Sequence, residues 1–169
     1  MTAVVGGLRA RLLHDSLTSL LQTGLAGLGW LDPGRQHQPF QFLHGPHTWQ
    51  VPVTFNAIVI TSEGLDTQWV ELGSNLTTDA AYFSVDLYAE SDALGVHVSN
   101  DMRDLLRGRL PGGAEREMMP ILDFRQPTPA PIGYAYVLDV GVDRTSDQIP
   151  EEWHRHVFSV GVTLYDTYY

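Results

Sequence analysis

Three segments alternate apolar and polar residues, and they constrain the fold more than any other feature of the chain. They are 82–90 (YFSVDLYAE), 133–142 (GYAYVLDVGV) and the closing stretch 151–169 (EEWHRHVFSVGVTLYDTYY), which alternates for about ten residues. A period of two marks a strand with one face in a core and the other outside it. Phe83, Val85 and Leu87 share one face of the first segment, with Tyr82, Ser84, Asp86 and Tyr88 on the other. Tyr134, Tyr136, Leu138 and Val140 are in phase in the second, and Phe158, Val160, Val162 and Leu164 in the third. Shorter strands are expected at 54–61 (TFNAIVIT), 68–72 (QWVEL) and 119–124 (MPILDF). Glu63-Gly64 and Gly73-Ser74-Asn75 supply the breaks around them.

Two helices accompany these strands. From 3 to 28 the apolar residues follow helical spacing, with Leu13, Leu17, Leu20, Leu21 and Leu28 on one stripe. Arg9, Asp15, Ser16, Ser19 and Gln22 fall off it, and Gly24, Gly27 and Gly29 loosen the end. Ser91 is placed as an N-cap for a second helix carrying Leu94, Val98, Met102, Leu105, Leu106 and Leu110. Asp92 complements the positive end of its dipole, and Arg103, Arg107 and Arg109 the negative end. Pro111-Gly112-Gly113 is expected to end it. A long Pro/Gly/His-rich loop spans 30–52, with one short extended piece at 40–43, and 126–131 is a proline-rich connector. The expectation is a single α+β domain over residues 1–169. Its core is a mostly antiparallel β-sheet flanked by two α-helices.

Composition narrows the function. The 169 residues include 43% hydrophobic and 18% charged, a globular balance. The absence of cysteine excludes disulfides, thiol catalysis and thiolate metal sites. All ten basic residues are arginine, so a phosphate-loop lysine, a Schiff-base lysine and a Ser-Lys dyad are excluded too. A net charge of −10 opposes general nucleic-acid binding, though not a passage through which DNA slides. No apolar run approaches the roughly 18 residues of a membrane span. The first thirty residues lack the apolar block and cleavage site of a signal peptide, so folding in a cytoplasm is expected.

The candidate chemical sites weigh lightly against their plainer readings. Seven histidines are present, and His154 and His156 point the same way on a strand. Such a pair is a half-site for zinc or copper, to which His44 and His47 could add ligands, but neither cysteine nor an HExxH pattern supports it. Polar residues at a strand start and in a wet loop are the preferred reading. Asp143, Thr145 and Asp147 alternate as in a calcium loop, yet Gln148 and His154 stand where glycine and glutamate are needed. There is no GxSxG elbow, and Ser159 lies in FSVGV. Asp86 and Glu90 are carboxylates that nothing in the sequence brings into a cleft. No catalytic residue, cofactor or metal is therefore expected. Trp30, Trp49, Trp69 and Trp153 lie near element ends or in loops, where aromatics anchor contacts.

The layout resembles the tail terminator (tail completion, minor tail U-like) proteins of long-tailed bacteriophages. Four stretches carry the likeness: RARLLHDSLTSLLQTGLAGLGW; YFSVDLYAESDALGVHVSNDMRDLLRGRL; ILDF before a proline-rich link; and YAYVLDVGV with WHRHVFSVGVTLYDTY, joined by a polar loop. The segment 32–52 is longer than that pattern and is expected as an added contact loop. The resemblance implies a structural virion protein, not an enzyme. Such proteins form a ring, usually hexameric, on the last ring of the tail tube protein. They end tube growth and meet the head-completion or connector proteins, with DNA passing through the lumen. Assembly in the host cytoplasm and residence in the virion tail or neck follow. The alternatives are another neck or head-closure protein and, from a different class, a His-dependent metal enzyme. Contact roles are expected for Trp49, Asp143, Arg144, Asp147, Glu151 and Glu152 in the loops and for Arg103 and Arg107 on the second helix. The tyrosine-rich end 165–169 is expected to lie at such a contact as well, with the two strand histidines beside it.

Overall fold

The computed structural model describes residues 2–43, 56–69, 77–125, 127–143 and 154–165. The N-terminal helix α1 covers Thr2–Gly27. Leu13, Leu17, Leu20, Leu21 and Leu25 are buried along it, the stripe that helical spacing demands. Ser16, expected off that stripe, is also buried. The second helix, α2 (Asp92–Leu106), starts where the serine cap places it, with the Leu94 amide donating to Ser91 Oγ at 3.3 Å. It stops before the Pro111-Gly112-Gly113 signal. The Gly108 and Arg109 amides turn back to the Leu105 and Asp104 carbonyls at 3.0 and 2.8 Å, which closes the last turn. Gly24 lies within α1 rather than loosening its end. A Cβ there would stand 2.5 Å from Leu105 Cδ2, so its bare backbone lets the two helices approach.

Six strands form one sheet in the order β1-β2-β3-β6-β5-β4. They are β1 (Gln41–Leu43), β2 (Ala57–Trp69), β3 (Thr77–Ala89), β4 (Met119–Asp123), β5 (Ala130–Asp143) and β6 (His154–Tyr165). Only β1 and β2 run parallel; every other neighbour is antiparallel. The α+β architecture expected from the sequence is the one observed.

Two boundaries differ from expectation. The segments 54–61 and 68–72 are not separate strands, because β2 runs through Glu63 and Gly64 as far as Trp69. Its register shifts between Ser62 and Gly64, so the glycine marks a bulge and not a turn. In β5 a second shift between Val137 and Asp139 reverses the phase. Tyr136 pairs with Thr163, whereas Val140 pairs with Val160, so the alternation expected from the sequence does not run unbroken through β5.

The core lies between the helices and one face of the sheet. Ile58, Phe83, Val85, Leu87, Phe158, Val160 and Val162 pack there with the leucines of α1 and with Val98, Met102 and Leu105 of α2. Polar ties fix the layers. The buried Ser16 hydroxyl accepts the Leu122 amide of β4 at 2.9 Å. The indole N–H of Trp30 donates to Asp101 Oδ2 at 2.7 Å, joining the end of α1 to α2. Asn56, fully buried, donates to the Gln38 carbonyl at 2.7 Å and accepts the Glu90 amide at 2.8 Å. That residue links the segment before β1 to the end of β3.

Candidate functional site

The two helices pack on the core face of β2, β3 and β6, and among the described residues the small cluster on the second face holds no helix residue. Alternation places Ala80, Tyr82, Ser84, Asp86 and Tyr88 of β3 on this second face. The strand register sets Gly161, Ser159 and Arg155 of β6 opposite Tyr82, Ser84 and Tyr88. Tyr134 and Tyr136 of β5 extend the face towards the β4 edge. Its two ends differ in character.

The end near the start of β2 is closed. Ala57, Val59 and Tyr88 form a second small buried cluster with Leu43 packed against it. Arg155 Nε donates to Asp86 Oδ1 at 2.8 Å, and its Nη2 reaches the same oxygen at 2.6 Å. The guanidinium lies 5.9 Å from the centre of the Tyr88 ring. Burial works against the charge on Arg155, but the Asp86 carboxylate outweighs it and holds the guanidinium above its ordinary value. Burial and then the Asp86 charge push the Tyr88 hydroxyl above its ordinary 10.0, with Arg155 opposing. Each member of this group has a partner, so it ties β3 to β6.

The other end is open. Tyr82, Ile132, Tyr134 and Tyr136 are 52%, 54%, 54% and 39% exposed. Between Tyr82 and β6 a depression of about 320 Å³ is lined by Glu63, Ser84, Ser159 and Gly161. Large aromatic rings rising beside serine and glycine make a surface that presents apolar area with hydroxyl handles, suited to packing against another protein.

Of the contact residues expected from the sequence, Arg103 and Arg107 do not lie on this face. Arg103 and Arg107 sit at the C-terminal end of α2, on the helix-covered side of the sheet. The Arg103 guanidinium donates to Asn100 Oδ1, and Arg107 is exposed. The acids on the same helix are engaged otherwise: Asp104 meets Arg109 at 3.3 Å, and Asp101 meets Trp30. Asp143 ends β5 with its backbone opposite Val157. Trp49, Arg144, Asp147, Glu151 and Glu152 lie outside the described residues, as do His44, His47 and 166–169.

His156 differs from expectation. It is neither wet nor at an edge but 2% exposed, on the face that α2 covers. The cause is Gly95, where a Cβ would stand 2.3 Å from His156 Nε2. The bare helix backbone at that point makes room for the imidazole. Among the described residues no group of three or more His, Cys, Asp or Glu side chains is placed to hold a metal ion. Among the same residues no helix is long and apolar enough to cross a membrane.

Tyr82 was present in the sequence as the outward phase of an alternating strand, whereas Tyr134 and Tyr136 read there in one phase with Leu138 and Val140. What the sequence lacked was their pairing across β6, which brings β3 and β5 to one surface. No family model matches the chain, and no curated protein matches it. Among solved structures, a chain in the virion of a native gene transfer agent particle is similar. It shares 11% sequence identity at a TM-score of 0.47, over 92% of this chain and 95% of that one.

Proposed function

We propose that this chain is a structural protein of a long-tailed phage or phage-like virion, and that it acts there as a tail terminator. Copies of the chain close into a ring on the end of the tail tube. The ring stops tube growth and presents a surface to the head-completion or connector proteins, and DNA passes through its lumen. The observation that carries this reading is the uncovered sheet face with Tyr82, Ile132, Tyr134 and Tyr136 exposed together. A catalytic domain concentrates its polar groups in a cleft, whereas an assembly subunit leaves aromatic area for its neighbours. The element order, a helix, strands, a second helix and a final set of strands, agrees with the resemblance described above. A negative net charge favours sliding of DNA over its retention.

The test is particle assembly with and without the protein, combined with mass measurement of the purified chain and electron microscopy of the neck. Tails of uncontrolled length without the protein, and the protein found on isolated tails, are the expected results. Protein found on heads but never on isolated tails would reassign it to head closure. Normal infectious particles assembled without it would end the assembly reading.

A further inference from the structure

Beside α1, a cleft of about 440 Å³ opens between that helix, β4 and the turn after α2. This volume falls in the range of roughly 300–1,000 Å³ typical of ligand pockets. Leu20 from α1, Leu110 from the turn, and Pro120 and Leu122 from β4 give it an apolar lining. Ser19 and Thr23 add hydroxyls along one wall, and Arg116 lies at the other.

Arg116 is the unusual member. Its amide donates to the Gly108 carbonyl at 2.9 Å, and its Cγ lies close to Gly108, so backbone and stem are both held. The side chain is half-buried, yet its guanidinium has no ion pair or hydrogen bond among the described residues. Burial alone lowers its proton affinity from the ordinary value, with no carboxylate to offset it. The other arginines of this region are satisfied or exposed: Arg109 meets Asp104, Arg103 meets Asn100, and Arg107 faces solvent. A half-buried guanidinium beside an apolar surface is costly unless an anion joins it, and its planar fork matches a carboxylate.

We infer that this cleft is a docking site for an apolar segment of a partner protein that carries a single carboxylate, which Arg116 receives while the flanking apolar side chains fill the space against Leu20, Leu110 and Leu122. That the partner is a neighbour in the particle rests on the function proposed above; the cleft chemistry does not. Charge complementarity selects this occupant. The chain carries −10 overall, so an extended acidic surface is repelled, and one carboxylate between apolar residues is what the cleft accommodates. The apolar centre with a hydroxyl rim is also the anatomy of a protein contact.

The test is a nuclear magnetic resonance titration of the purified full chain with two blocked peptides, one glutamate among leucines and the same peptide with glutamine. Decanoate serves as a lipid-like probe. The glutamate peptide is expected to shift the amides of Leu20, Leu110 and Leu122 saturably and to bind about tenfold more tightly than the glutamine peptide. Arg116→Gln should erase that difference, whereas Arg11→Gln, an exposed charge on α1, should preserve it. Equal affinities for the two peptides, no saturable shift, or a difference that survives Arg116→Gln would overturn the inference. So would decanoate occupying the cleft where neither peptide does, or shifts that grow with protein concentration alone, which would point to a second copy of the chain. Because the titration is made in solution, its outcome is separate from whether the protein belongs to a particle.

Discussion

Replacing Gly108 by alanine separates two costs that usually arrive together. Gly108 has φ +83°, and Gly113, in the turn that follows, has φ +82°. A non-glycine residue in this region costs about 1–2 kcal/mol, and both sites carry that cost. They differ in their surroundings. At Gly113 an added Cβ meets nothing within 4 Å, while at Gly108 it would stand 1.9 Å from the Arg116 carbonyl oxygen and 3.1 Å from its carbonyl carbon. The obstacle is backbone, so no rotamer change relieves it. The turn from 109 to 115 must move, and the 2.9 Å hydrogen bond from the Arg116 amide to the Gly108 carbonyl is strained or lost. One such bond is worth about 1 kcal/mol, and overpacking adds about 1–3 kcal/mol. Gly113→Ala should therefore cost about 1–2 kcal/mol and Gly108→Ala about 3–6 kcal/mol. The loss of unfolded-state freedom is common to both and cancels in the comparison. Urea unfolding at neutral pH measures the difference, provided the slope is unchanged. Gly108→Asn, which tolerates the positive φ, should recover only the smaller part. Two alanine variants within about 0.5 kcal/mol of each other would refute the reasoning, because the backbone contact would then carry no energy of its own.

Asn56→Ala should cost about 2–4 kcal/mol in the same assay, since it removes partners from both the Gln38 carbonyl and the Glu90 amide. Asp123 gives a pH signature: hydrogen bonds from Arg125 hold its carboxyl below the ordinary 3.8, so its contribution is complete above that value and is lost as pH falls through the lowered one. The advantage of the native chain over Asp123→Asn should shrink only in strong acid, and an advantage constant with pH would contradict the assignment. Replacing Tyr134 and Tyr136 together by serine should change stability little, because both are exposed, while complexes of the chain seen by mass measurement should be lost.

The elements that were legible in the sequence are those set by local rules. The leucine stripe of α1, the serine cap of α2 and the alternation of β3 and β6 depend on residues within a few positions of one another. What escaped depends on distant partners. Glu63 and Gly64 carry turn chemistry, but twelve pairs with β3 hold the chain extended through them, and the glycine becomes a bulge. The phase of β5 reverses at a bulge that no residue type announces. His156 reads as a polar residue at a strand start, and only the position of Gly95 on a helix sixty residues earlier decides that it is buried. The cleft at Arg116 was equally hidden, since three separate elements build it and the arginine's neighbours are known only once they meet. The loops in which contact chemistry was expected lie mostly outside the described residues, whereas the exposed face arises from pairing across β6.

The two surfaces are built by different residues, Tyr82, Tyr134 and Tyr136 on β3 and β5 and Leu20, Leu110 and Arg116 around the cleft, and that separation bears on how copies of the chain could associate. A closed ring of identical subunits needs two unlike, complementary patches on each copy, and a third surface for whatever the ring rests on. If the tyrosine face joins copies and the Arg116 cleft receives a different protein, their variants fail differently. Loss of Tyr134 and Tyr136 should leave monomers that still bind the glutamate peptide. Arg116→Gln should leave the association of copies intact and abolish only the selective binding. The reverse pattern would exchange the roles of the two faces, and loss of both properties in each variant would mean that one continuous interface spans them.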